Sequence, residues 1–164
     1  MDMTACALDS TLLGHIAVSQ AWGSDIWDQA RNFCRRNHRP ERMYSDVKAK
    51  DLPGPPLHFY VAGPPCQPWA RGGKQLGAGE HRAPLLDEVL QTIRRCRPLA
   101  FLMEESDRVA TYERGIWWQS RVAELESMQY HVKWNILNAA HHGVPQEPAQ
   151  ALGGRPASRL PWPS

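Results

Sequence analysis

Val61-Ala62-Gly63-Pro64-Pro65-Cys66-Gln67-Pro68-Trp69-Ala70 continues an apolar run that begins at Leu57. Leu57 to Ala62 has the length and composition of a buried strand, and Gly63 ends it. Pro64 and Pro65 each fix their own φ and push the preceding residue toward extended geometry. Cys66 is therefore expected on a rigid corner just past the carboxyl end of a strand, the edge at which open α/β sheets bind ligands. Free cysteine is also among the most buried residue types. Pro-Cys taken alone fits an inert core thiol about twice as well as a reactive one.

Composition admits several classes. At 164 residues the chain is one domain or part of a larger one, long enough for a sizeable core. Charged residues make up 22% and hydrophobic ones 42%, an ordinary soluble balance. A net charge of +2 permits nucleic-acid binding without arguing for it. Cys6, Cys34, Cys66 and Cys96 show no paired Cys-x-x-Cys spacing for zinc, which suits unpaired thiols in a reducing compartment. No basic-then-apolar leader opens the sequence, and no apolar run nears the ~20 residues that span a bilayer. The expectation is a soluble intracellular protein, nuclear in a eukaryote and cytoplasmic in a bacterium.

Helix and strand signals alternate along the chain. Met3 to Leu13 holds Ala5, Leu8, Leu12 and Leu13 near helical spacing and stops at Gly14. His15 to Trp22 reads as a strand with Gly23-Ser24-Asp25 at its carboxyl end. A helix is expected from Ile26 to Asn37, with Ile26, Ala30, Phe33 and Cys34 on one face. Arg35, Arg36 and His38 close it, and a solvated cap fits these cations better than a DNA contact, by about three to one. A short strand from Met43 reaches Asp46 and Val47. Residues 70–83 are loop-like and glycine-rich, equally a lid over substrate or a surface connection.

Pro84 opens a helix whose stripe Leu85, Leu86, Val89, Leu90 and Ile93 runs to Cys96, and Pro98 stops it. Leu99 to Met103 is the strongest buried-strand signal, with Glu104 and Glu105 at its carboxyl end. A further helix spans Ile116 to Met128 with Trp118, Val122 and Leu125 aligned. Tyr130, Val132, Trp134 and Ile136 then alternate with polar residues as in a strand. Residues 147–164, with Pro148, Pro156, Pro161, Pro163 and Gly153-Gly154, lack periodicity and read as a disordered tail. The alternation predicts an α/β domain with a mostly parallel sheet flanked by helices.

Gly63 to Trp69 resembles the nucleophile motif of the cytosine-5 DNA methyltransferases, in which Pro-Cys-Gln carries the attacking thiolate. Two other families use similar strings and part from this one at named residues. Cysteine phosphatases need an arginine six residues after the cysteine; Gly72 stands there, and Arg71 falls one short. Amino-group methyltransferases place a polar residue and an aromatic around Pro-Pro, where this chain has Gly63 and Cys66. Three further stretches match the cytosine-5 pattern in order. Phe101-Leu102-Met103-Glu104-Glu105-Ser106 resembles an apolar strand followed by Glu-Asn-Val, with Glu105 and Ser106 departing from Asn and Val. Ile136-Leu137-Asn138 through Gly143-Val144-Pro145-Gln146 resembles the Leu-Asn-Ala…Gly-Val-Pro-Gln segment. Ser24-Asp25-Ile26 and Asp46-Val47 resemble the positions beside the ribose and adenine of S-adenosylmethionine.

The resemblance covers residues 4–146 and implies a Rossmann-like, S-adenosylmethionine-dependent methyltransferase fold, incomplete at both ends, with residues 1–146 as part of its catalytic domain. It implies Cys66 and Glu104 as catalytic residues and Asp25, Ile26, Asp46, Val47 and Pro65 as cofactor-binding ones. Pro64, Gln67, Asn138 and Gln146 would belong to substrate or structural motifs. It implies a nucleic-acid partner, DNA first, with transfer-RNA cytosine as alternative substrate. No membrane partner and no metal are expected; adjacent His141 and His142 point to opposite faces of a strand.

Three departures bear on activity. No Phe-x-Gly-x-Gly string, which in the family lies against the cofactor, occurs in these 164 residues. Gln146 is followed by Pro148 and Gln150 where the family has Arg-x-Arg. Residues 147–164 do not hold a target-recognition region. Weak turnover by this chain alone is the expectation, and a non-catalytic, nucleic-acid-binding remnant of the fold is the alternative.

Overall fold

The computed structural model describes residues 19–49, 51–52, 57–64, 84–138 and 149–156, in two compact units that divide after Pro53. The expected helix from Met3 to Leu13 and the start of the strand from His15 lie outside the described residues, as do residues 70–83.

In the first unit, β1 (Trp22–Ser24) and β2 (Arg42–Tyr44) run parallel, with α1 (Asp28–Asn37) between them in sequence. The helix starts two residues later than its apolar spacing suggests. Asp25 Oδ1 accepts the Trp27 N–H at 2.7 Å, which holds the chain in an Asx turn, and Trp27 keeps an extended backbone (φ −88°, ψ 126°). The predicted apolar face is largely open: Ile26 and Phe33 are exposed, and no residue of α1 is buried.

The second unit holds the described core apart from Leu52. Strand β3 (Phe59–Ala62) pairs in parallel with β4 (Ala100–Ser106), in register Phe59↔Ala100 through Ala62↔Met103. Between them comes α2 (Pro84–Cys96), whose stripe Leu86, Val89, Leu90, Ile93 and Cys96 is buried as its spacing requires. Arg97 ends the helix in a left-handed conformation (φ 48°), its N–H donating to Ile93 O at 2.9 Å. A short helix, α3 (Asp107–Thr111), and a 3-10 turn (Tyr112–Gly115) lead into α4 (Ile116–Ser127). On α4, Trp118, Val122 and Leu125 face the core. Arg94 pairs with Glu124 at 2.7 Å and Arg121 with Asp87 at 3.2 Å, tying α2 to α4.

The predicted single strand from Tyr130 to Ile136 is two strands, β5 (Tyr130–His131) and β6 (Asn135–Asn138). Both pair antiparallel with β7 (Ala149–Pro156), which also pairs antiparallel with β4. Here the structure differs from the expectation of a tail without a packed element. Residues 150–152 satisfy backbone groups of β4 on one side and of β6 on the other. Gly153-Gly154 falls where the β4 register shifts between Phe101 and Glu104, and where pairing passes from β6 to β5. Glycine tolerates the irregular backbone such a shift needs. The architecture is α/β: parallel pairs β1–β2 and β3–β4, with β7 adding antiparallel pairings to the second sheet.

Candidate active site

β4 alternates strictly. Phe101, Met103 and Glu105 are buried, while Leu102 and Glu104 on the other face are half-buried. Phe101 is locked edge-on against Tyr130, ring centroids 5.1 Å apart, and Tyr130 donates its hydroxyl to Pro98 O at 2.7 Å. Burial raises the Tyr130 pKa, opposed by the Arg97 guanidinium over its ring and aided by Cys96. The strand that carries Glu104 is thereby fixed at its amino end. At its carboxyl end Ser106 caps α3, its Oγ accepting the Arg108 N–H at 3.3 Å.

The register of β3 against β4 sets Gly63 beside Glu104, one step past the Ala62↔Met103 pair. A Cβ built on Gly63 would stand 3.5 Å from Glu104 Oε2. The carboxylate of Glu104 thus lies against the carboxyl end of β3. Pro64, also described, is half-buried there. Pro65, Cys66 and Gln67 follow at once in sequence and lie outside the described residues, as does Gln146. Asn138 closes β6, paired with Ala149 of β7.

The two aspartates of the first unit occupy equivalent places. Asp25 follows β1 and Asp46 follows β2, so both stand past the carboxyl ends of parallel neighbours. Asp25 N donates to Tyr44 O at 3.3 Å across the pair, and Arg31 Nη1 donates to Asp25 O at 2.6 Å. Asp46 Oδ1 accepts the Lys48 N–H at 2.9 Å. Ile26 and Trp27, next to Asp25, present 71% and 65% of their surface to solvent, an apolar pair beside a carboxylate. Val47 is half-buried.

Two features escaped the sequence reading. Gly63 serves as a wall for Glu104, which only the pairing register reveals. Glu105 is buried to 1% exposure, a result the period of two from Phe101 and Met103 already contained. Burial pushes its carboxyl up to about 8, with the Ser106 N–H pulling down and the charge of Glu104 pushing further up. Among the described residues no cluster of His, Cys, Asp and Glu fits a metal ion, and no helix is long and apolar enough to cross a membrane.

The chain is similar to the type II methyltransferase M.HgiCI of Herpetosiphon aurantiacus, 35% identical over 144 residues, or 87% of this chain and 30% of that protein. It is similar to M.BanI of Aneurinibacillus aneurinilyticus at 36% over 111 residues, 65% of this chain and 26% of that one. It therefore spans about a third or less of these relatives' length. In fold it resembles the Dnmt2 methyltransferase of S. pombe, with a TM-score of 0.65 at 18% identity, covering 96% of this chain and 48% of that one. The methyltransferase EhMeth of Entamoeba histolytica gives the same TM-score at 15% identity, covering 92% and 48%. The model of the C-5 cytosine-specific DNA methylases matches residues 6–148, and the chain belongs to that family.

Proposed function

We propose that this chain carries the catalytic part of an enzyme that methylates carbon 5 of cytosine in DNA, with Cys66 as nucleophile and Glu104 as acid. One observation carries the reading: β3 and β4 are parallel neighbours, and Glu104 Oε2 stands against Gly63 at the end of β3. Cys66 comes three residues after Gly63 in the sequence. Three residues of chain span at most about 11 Å, which bounds the distance from Gly63 to the Cys66 backbone.

The chemistry needs both groups. Carbon 5 of cytosine is too electron-poor to be methylated unaided. Addition of the Cys66 thiolate to carbon 6 makes carbon 5 an enamine-like nucleophile. Negative charge then builds toward ring nitrogen 3, where the Glu104 carboxyl, once it has taken up a proton beside the bound base, donates a hydrogen bond or that proton. Loss of the carbon-5 proton to a base afterwards re-forms the ring double bond and expels the Cys66 thiolate. The target base must first leave its stack, at a cost of a few kcal/mol.

The first unit fits S-adenosylmethionine in kind. Asp25 and Asp46 offer carboxylates for hydroxyl and amino groups, and exposed Ile26 and Trp27 offer apolar surface beside Asp25. When bound, this cofactor supplies an electrophilic methyl group. Val47 and Ile26 would complete its surroundings there, while Pro64, Gln67, Asn138 and Gln146 would belong to the base side.

The test is covalent capture. The full chain is incubated with S-adenosylmethionine and a duplex carrying 5-fluorocytosine, whose fluorine blocks release of the cysteine. An adduct is expected for the unaltered chain, none for Cys66→Ser and sharply less for Glu104→Gln. Survival of the adduct in Cys66→Ser would overturn the nucleophile, and full yield in Glu104→Gln would overturn the acid.

A further inference from the structure

Glu105 is a buried acid that the proposed reaction leaves unused. Its side chain lies on the core face of β4, 1% exposed, opposite in direction to that of Glu104. Its Oε2 accepts the Ser106 N–H at 3.0 Å. Ser106 is also the residue whose hydroxyl caps α3. A single carboxyl thus holds the joint at which the Glu104 strand turns into a helix.

Two effects compete over its charge. The N–H of Ser106 favours a carboxylate, and burial disfavours one. Burial is the larger, and Glu104 adds to it, so the proton is retained up to about 8. The surrounding elements do little to reverse this. β4 itself contributes Glu104, and α3 brings Asp107 and Arg108. β3 contributes Tyr60, and the stretch of β7 paired alongside, Gln150 to Leu152, contains no ionisable residue.

We propose that Glu105 is a positioning residue for Glu104, holding the β4–α3 joint through Ser106 from the core face of the strand. This rests on the acid role proposed for Glu104. The sign of its pH dependence follows from linkage. The folded chain keeps a proton that the unfolded chain gives up near the ordinary glutamate value of 4.5, so folding weakens as pH rises from there toward about 8.

The full chain and its Glu105→Gln and Glu105→Ala variants decide the matter. The amide keeps an acceptor for Ser106 N–H and has no proton to lose. Between about pH 5 and about pH 8 the unaltered chain should lose thermal stability that Glu105→Gln does not lose. Fluorocytosine adduct yield should stay within about twofold in Glu105→Gln and fall about tenfold in Glu105→Ala. Superimposable pH profiles for the unaltered chain and Glu105→Gln would overturn the proposal, as would full adduct yield in Glu105→Ala. If Glu105→Gln does not fold, carbon-13 titration of the unaltered chain decides. A Glu105 carboxyl midpoint near 8 upholds the proposal, and one below about 6 overturns it. The pH profile is independent of methyl transfer. Full yield in Glu104→Gln would remove the acid role of Glu104 without altering what the profile says about the Glu105 proton.

Discussion

At the scale of residues, Gly63 and Glu105 frame the candidate acid from two directions. Gly63 matters for its place: it stands beside Glu104 Oε2 at the end of β3. An alanine there would meet that oxygen at 3.5 Å, an ordinary contact, so Gly63→Ala should keep most of the adduct yield. Gly63→Val adds two methyl groups on the same side and should push the Glu104 carboxyl aside. Adduct yield should then fall about tenfold while stability changes by no more than about 1 kcal/mol. Parallel measurement of adduct and thermal midpoint checks this, and equal yields for Ala and Val would show that Gly63 does not shape the acid. Glu105 acts from the opposite face. A carboxyl that titrates at about 8 when folded, against 4.5 ordinarily, couples folding to pH on the order of a few kcal/mol. That stability is present below about pH 4.5 and gone above about pH 8, so Glu105→Gln should be the more stable protein at about pH 9. Chemical unfolding at about pH 5 and about pH 9 measures the crossing. A Glu105→Gln variant less stable than the unaltered chain at both would contradict it. Glu105 differs from the Asn of the family motif in letter, but a protonated acid carries the same zero charge.

At the scale of elements, β7 is the strand whose removal should be felt furthest. It joins β4 to β6 and β5, and Ala151 pairs with Glu105 on one side and Ile136 on the other. Ala151→Pro removes an N–H from the middle of a sheet and leaves its acceptor unpaired, a cost of about 1–3 kcal/mol. Amide exchange should quicken in both β4 and β6, and unchanged exchange there would mean that β7 does not hold the sheet. Nothing local announces this strand. Pro148, Pro156 and Gly153-Gly154 argue against one, and what makes it is pairing with edges more than ten residues away in sequence. Other elements were legible because their periodicity and their burial coincide. The stripe Leu86, Val89, Leu90, Ile93 gave α2, and Trp118, Val122, Leu125 gave α4. Helix α3 and the left-handed turn at Glu113, Arg114 and Gly115 were invisible, since five residues without an apolar period carry no helical signal. The Glu104 site was legible in its strand-end placement, and its contact with Gly63 waited on the register.

At the scale of the molecule, cofactor affinity decides how much these 164 residues do alone. It spans 30% of M.HgiCI and 26% of M.BanI. The resemblance implies that cofactor binding is assembled from a glycine loop, an acid for the ribose and an acid near the adenine. These 164 residues contain Asp25 and Asp46 at the ends of β1 and β2, and no Phe-x-Gly-x-Gly string. Each hydrogen bond that such a loop supplies is worth on the order of 1 kcal/mol, more where the ligand group is charged. Two or three missing together weaken binding by roughly a hundredfold, at about 1.4 kcal/mol per tenfold. The arginines absent after Gln146 remove positive charge that would surround the flipped base. Calorimetric titration of the full chain with S-adenosylmethionine should therefore give a dissociation constant about a hundredfold higher than for a family member that carries the glycine loop. Asp25→Ala should weaken it about tenfold more, since the acid beside exposed Ile26 and Trp27 is then lost. Affinity equal to that of such a family member would show that the glycine loop is dispensable here. An Asp25→Ala variant that binds unchanged would instead remove Asp25 from the cofactor site, leaving the Cys66 and Glu104 assignments to stand on adduct capture alone.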